Sequence, residues 1–173
     1  MQHEQPRAPH LLPYEGLLRA IGDHVDSMGG KNLLIIDTGD GFSIRFSRGG
    51  LGETDHVEFS YRGLAEQETL QLANRQPKPH AAKDAPPARG TGYQDFLRAF
   101  GAQLESDEQF LVLLDEQPAG FIMSYIYMDP ERALFPHKTM ATLSQSDVER
   151  LREEGFSRRR AEGKGPRWKR FLG

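Results

Sequence analysis

A stretch near the start of this chain returns, altered, 79 residues later. YEGLLRAIG at positions 14–22 is matched by YQDFLRAFG at 93–101. Held without a gap, the same offset pairs Leu34 with Leu113, Gly41 and Phe42 with Gly120 and Phe121, Leu64 with Leu143, and Leu72 with Leu151. Residues 14–72 and 93–151 share 11 identities in 59 positions, five of them in the first nine. Identity that low carries little alone. One offset kept through four separate segments carries more, because unrelated amphipathic segments have no reason to share a register. A chain of 173 residues holds one ordinary domain or two small ones. A duplicated unit of this size would have only a marginal core of its own, so the two copies are expected to pack together.

Each copy reads as helix, strand, strand, strand, helix. Tyr14, Leu17, Leu18, Ile21 and Val25 fall on one helical stripe, and Tyr93, Phe96, Leu97, Phe100 and Leu104 repeat its phase. Apolar runs follow at 33–36 and 110–114, then turn sequences at 37–41 and 115–120. Asp-Gly between apolar runs is a hairpin signal. In the return strand Phe42, Ile44 and Phe46 alternate with Ser43 and Arg45. Third strands are predicted at 57–61 and 138–143, and closing helices at 65–74 and 145–154. Ser144 with Asp147 has the spacing of a capping box, and Gly155 suits a helix C-terminus. The fold class is therefore α+β, an antiparallel meander with helices on one face, duplicated, with the copies forming a pseudo-twofold body. The expected organisation is a disordered N-terminus (1–12), a first unit (13–74), a proline-rich linker (75–92), a second unit (93–155) and a basic C-terminal tail (156–173).

Two features of the units bear on contacts. Phe121, Met123, Tyr125 and Tyr127 share one face of a strand, while Ile122, Ile126 and Met128, interrupted by Ser124, share the other. A strand apolar on both faces needs cover on both, which the other copy, a second subunit or a protein partner would supply. Gly22 and Gly101 lie inside helices, where glycine costs about 1 kcal/mol against alanine, so close packing is expected there. Arg19 and Arg98 also match; they sit about 140° around the helix from the first stripe residue. Arg19 would pair with Glu15 or Asp23 and Arg98 with Asp95 as solvated ion pairs, or the two would form a twinned anion site.

Charge is unevenly spread. The chain carries −3 overall, but residues 156–173 hold seven basic residues against Glu162 alone, leaving −9 on the rest. Arg158, Arg159, Arg160, Lys164, Arg167, Lys169 and Arg170, interleaved with Trp168 and Phe171, suit contact with nucleic acid, cations on phosphates and rings on bases. They equally suit an acidic protein groove, an anionic membrane surface or the acidic body itself.

Several chemistries are set aside. There is no cysteine, hence no disulfide, thiolate nucleophile or cysteine-bound metal, which fits a reducing, cytoplasmic setting. The opening residues, MQHEQPRAPH, have no apolar core and are not expected to be a signal peptide. No apolar run approaches the ~20 residues of a membrane span. The six histidines have no partner at helical metal-ligand spacing. The glycine-rich run at 47–52 follows a strand but opens no helix, as a phosphate cradle would. Residues 33–39, ending in Asp37-Thr38-Gly39, resemble the aspartic-protease signature. That chemistry needs two such aspartates, and the second unit has Asp115-Glu116-Gln117 instead, so a hairpin turn is the better reading. The helix–three strands–helix order is similar to that of double-stranded RNA-binding domains and of secretion-chaperone-like folds. The basic cluster that the first would carry on its last helix is missing. Catalytic, cofactor and metal-binding residues are therefore not assigned. The expected function is a non-enzymatic interaction or regulatory protein. Tail-driven nucleic-acid binding and an enzyme with a site between the units are the alternatives.

Overall fold

The structure is a computed structural model that describes residues 12–48, 52–74, 92–128 and 136–163. The expected loose N-terminus, the proline-rich linker and the end of the tail lie outside the described residues, apart from residues at their margins. The elements run α1 (Tyr14–Ser27), β1 (Gly30–Asp37), β2 (Gly41–Arg48), β3 (Glu53–Ser60), α2 (Tyr61–Asn74), α3 (Tyr93–Ser106), β4 (Gln109–Gln117), β5 (Gly120–Met128), β6 (Pro136–Ser144) and α4 (Gln145–Gly163). The protein is α+β, with one six-stranded antiparallel sheet in the order β3-β2-β1-β4-β5-β6. Among the described residues no helix is long and apolar enough to cross a membrane.

The stripes predicted for α1 and α3 are the sides that are buried. Tyr14, Leu17, Leu18, Ile21 and Val25 from α1, and Phe96, Leu97, Phe100 and Leu104 from α3, join Leu33, Ile35, Phe42, Ile44, Phe46, Leu111, Leu114, Phe121 and Met123 from the strands in one core. Full burial of such a side chain is worth about 1.5–3 kcal/mol, so this layer is what holds the helices to the sheet. Local signals bound the elements. The β1–β2 turn is closed by Thr38 N–H to the Gly41 carbonyl (3.0 Å), and Gly39 N–H donates to Asp37 Oδ1 (2.7 Å). The Asp-Thr-Gly segment is thus a hairpin turn. At the start of α4, Ser144 N–H donates to Asp147 Oδ2 (2.9 Å) and Asp147 N–H donates to Ser144 Oγ (3.2 Å). This is the capping box the spacing predicts.

The halves join at two places. In the sheet, β1 pairs with β4, Ile35 opposite Leu114, flanked by Leu34 with Asp115 and Ile36 with Leu113. Above it, α1 packs against α3. A Cβ on Gly22 would lie 2.6 Å from Gln94 Cα, and one on Gly101 would lie 2.5 Å from the Tyr14 carbonyl oxygen. Only glycine lets the start of each helix come this close to the other. The orphan N–H groups of those helix starts find acceptors across the seam, since neither N-cap residue supplies a side-chain hydrogen bond. Asp26, at the end of α1, accepts from Tyr93 N–H (2.9 Å) and Gln94 N–H (3.0 Å). Glu105, at the end of α3, accepts from Glu15 N–H (3.2 Å).

Three expectations need correction. The offset of 79 holds through β2 and β5 but not beyond them. Leu64 lies in α2 while Leu143 lies in β6, and α2 and α4 begin 84 residues apart, at Tyr61 and Gln145, because the second half carries extra residues between β5 and α4. Gly155 does not end a helix; α4 continues to Gly163, and Gly155 is the point where its backbone meets the Asp95 carbonyl too closely for any side chain. The halves also lie side by side in one sheet, so of the three covers considered for the second sheet face the other copy is not the one supplied. Edge pairing of β1 with β4 satisfies two rows of backbone groups that would otherwise be open edges. As a result neither half covers the second face of the other, and those faces merge into one surface.

Candidate functional site

Three regions carry side chains that could act on something outside the fold: the arginines of the helix layer, a cleft at one corner of the second half, and the second face of the sheet.

Arg19 and Arg98 are buried, at 2% and 5% exposure, and not the solvated pairs that helix geometry suggested. The reason is the second helix: the side of α1 that carries Arg19 is covered by α3, and the side of α3 that carries Arg98 by α1. Arg98 Nε reaches Glu15 Oε1 on α1 (3.2 Å). The same oxygen receives Arg158 Nη1 from α4 (3.3 Å), and Arg158 also bonds Glu154 (3.4 Å). Arg159 Nη2 meets Asp95 Oδ2 (3.1 Å) and lies over the Phe156 ring at 5.2 Å. Arg160 is exposed and sits 5.9 Å from the same ring. Burial raises the Asp95 carboxyl above its ordinary value, and Arg159 partly offsets this. The structure thus brings Arg98, Arg158 and Arg159 into one ion-pair layer with Glu15 and Asp95. Lys164, Arg167, Trp168, Lys169 and Arg170 lie outside the described residues.

The cleft, about 400 Å³, opens where the end of α1, the start of α3, the β4–β5 turn and α4 meet. Phe96, Phe121 and Val148 give it apolar walls, and Asp26, Glu116, Lys31 and Arg152 give it charge. Both carboxylates are already engaged. Asp26 accepts the two α3 N–H groups; burial raises its pKa, and those two donors pull it part of the way back. Glu116 Oε2 accepts Leu33 N–H (2.9 Å) and the Tyr93 hydroxyl. Burial and the neighbouring carboxylate push the Tyr93 phenol far above its ordinary value, so it stays a donor. Its counterpart, Tyr14, is pushed up to about 12 by burial and accepts Leu111 N–H (3.0 Å). Among the described residues no group of three or more His, Asp or Glu side chains is placed to hold a metal ion.

The second face of the sheet is uncovered by any described element. Cross-strand register sets its pattern. Leu34 and Ile36 on β1 stand beside Leu113 and Asp115 on β4, which stand beside Ser124 and Ile122 on β5, which stand beside Met140 and Thr142 on β6. The large side chains are half-buried by one another, and Met140 is 69% exposed. Towards β3 the face turns polar, with Arg45 opposite His56 and Ser43 opposite Glu58.

Sequence reasoning missed Asp26, Lys31, Glu116 and Arg152. The first and third had a signal in the offset, since Asp26 matches Glu105 and Asp37 matches Glu116. Lys31 and Arg152 had none. Compared with known families, curated proteins and solved structures, the chain matches no family model, no curated protein and no solved structure.

Proposed function

We propose that this chain is a non-enzymatic interaction protein, built from two copies of one α+β unit about a pseudo-twofold axis, that binds a second copy of itself through the uncovered sheet face. The duplication is supported by contacts that recur at the offset of 79. The β1–β4 pairing centres on Ile35 and Leu114, Gly22 and Gly101 each meet the start of the other helix, and Asp26 and Glu105 each cap it. All these pairs are 79 residues apart.

The observation that carries the interaction reading is the apolar stretch of the uncovered face, from Leu34 and Ile36 through Leu113 and Ile122 to Met140. Six strands at about 4.8 Å spacing and about 26 Å length make a face of roughly 700 Å². That is close to the ~800 Å² per partner of a stable protein interface, and two twisted sheets stack naturally at about 10 Å. Charge agrees with a twofold parallel to the strands. It would lay β3, with Glu58, over the partner's β6, with Lys138. The rival reading, phosphate contacts by the basic tail, has Arg158 and Arg159 already engaged within the chain. An enzyme site between the units would have to use Arg98, Glu15 and Arg158, which satisfy one another.

Sedimentation equilibrium tests the reading. The wild type is expected at twice the 19.5 kDa chain mass, and Ile36→Asp and Ile122→Asp at the chain mass with unchanged circular dichroism. A monomeric wild type, or a dimer indifferent to both substitutions, overturns it. Adding labelled RNA to the monomer over a salt series then asks whether the tail binds instead.

A further inference from the structure

The corner that forms the cleft in the second half has a counterpart in the first. Gly41 pairs with Ser60 and Gly120 with Ser144, each serine leading directly into a helix. The residue after Ser60 is Tyr61 and the residue after Ser144 is Gln145. The Tyr61 ring lies edge-on against Phe42, centroids 5.3 Å apart, and its hydroxyl donates to Asp37. It plugs its corner. Gln145 turns its amide to the Pro118 carbonyl (3.2 Å), and Phe121 stacks on Phe96 (4.6 Å). The hydroxyl that meets Glu116, the counterpart of Asp37, comes from Tyr93 at the wall of the cleft; among the described residues no ring fills the position that Tyr61 fills.

The space so opened has an asymmetric charge state. Asp26 and Glu116 are each held by two donors, as described above. The side chains of Lys31 and Arg152, by contrast, make no hydrogen bond or ion pair to the described residues. Arg152 Nε is shielded from solvent and has no acceptor, although the arginine is near enough to Asp26 to favour its charged form. Two cations without a bonded partner stand beside apolar walls in a cavity of ligand-binding size.

We propose that this cleft binds a small organic monoanion, a carboxylate on an apolar body, with Arg152 and Lys31 on the carboxylate and the body against Phe96, Phe121 and Val148. A planar carboxylate matches the guanidinium fork. A phosphate dianion fits less well, because its second charge would face Asp26 and Glu116. This site is separate from the sheet face, so it stands whether or not the chain dimerises.

Calorimetric titration of the full chain with phenylacetate, inorganic phosphate and benzyl alcohol tests it. Phenylacetate is expected to bind once per chain with a Kd in the low millimolar range, as suits so small a ligand. Phosphate and benzyl alcohol are each expected at least about tenfold weaker. Gln145→Tyr, which restores the plug, is expected to abolish phenylacetate binding. Arg152→Gln is expected to weaken it about tenfold, and Arg152→Lys less; thermal melts of each variant establish that it is folded. Three results overturn the proposal: no saturable phenylacetate binding up to about 10 mM, binding unchanged in Gln145→Tyr and Arg152→Gln, or equal binding of phosphate.

Discussion

The halves of this protein agree where they touch each other and differ where they do not. At the seam, glycine faces helix start in both directions, a carboxylate at the end of each helix caps the other, and the hydroxyls of Tyr14 and Tyr93 each reach the backbone of the other half's first strand, at Leu111 and at Asn32. Away from it the fillings diverge. In the first half His24 lies edge-on between Phe46 (6.1 Å) and Phe59 (5.3 Å), and Tyr61 closes the corner. In the second, Gln103 in the place of His24 lines a cavity of about 170 Å³ with Met123 and Tyr125, and Gln145 leaves the cleft. A contact made in both directions across a seam constrains two positions at once, so changing either side harms both. A side chain that only fills its own half is free to be lost, and the space it leaves is available to a ligand.

The most damaging way to break the agreement is at the crossing. Gly22→Leu and Gly101→Leu are each expected to cost about 3 kcal/mol by overpacking, measured by urea denaturation. A large loss at one glycine and less than about 1 kcal/mol at the other would mean that the crossing is not equivalent from its two sides.

The trans caps come next. Asp26 holds two backbone donors and Glu105 one, so Asp26→Ala is expected to cost about 2 kcal/mol and Glu105→Ala about 1. Asp26 also adds a pH dependence. Its pKa is raised above the ordinary 3.8, so the native chain holds that proton more tightly than the unfolded chain does. Ionising it costs native stability, and the cost grows as pH rises from near 3.8 through the raised value. Stability of the wild type relative to Asp26→Asn should therefore fall over that interval. A relative stability that rises there would show that the two N–H donors outweigh burial.

What could be read from the sequence was local or periodic. The helix stripes, the turn at Asp37 to Gly41 and the capping box at Ser144 each rest on residues a few positions apart. The offset itself anticipated the seam, because Gly22 and Gly101 carry no explanation within their own helices. The burial of Arg98 could not be read, because its partner Glu15 is 83 positions away and on the other helix. The uncovered face was half legible. Ile122 and Ile126 showed that the strand is apolar on both sides. Whether the halves would stack or join edges depended on β1 finding β4, which no alternation pattern encodes. The cleft was the least legible feature, since it consists of a ring that one half has and the other lacks.

The smallest expected difference lies at the two serines that open α2 and α4. Ser144 and Asp147 exchange hydrogen bonds in both directions. Ser60 only accepts, from Gly63 N–H (3.0 Å), because the third helical position there is a glycine with no side chain to reach back. Ser144→Ala should therefore cost about 1 kcal/mol and Ser60→Ala about half of that, again by urea denaturation. Gly63→Asp supplies the missing half of the box. A Cβ there would meet only the Ser60 hydroxyl, at 3.0 Å, so that hydroxyl has to shift by a few tenths of an ångström to admit it. If it raises the cost of Ser60→Ala to that of Ser144→Ala, reciprocity within the box sets the value of each serine. If the costs stay apart, the difference comes from what lies under each helix, Leu64 in one half and Val148 with Leu151 in the other.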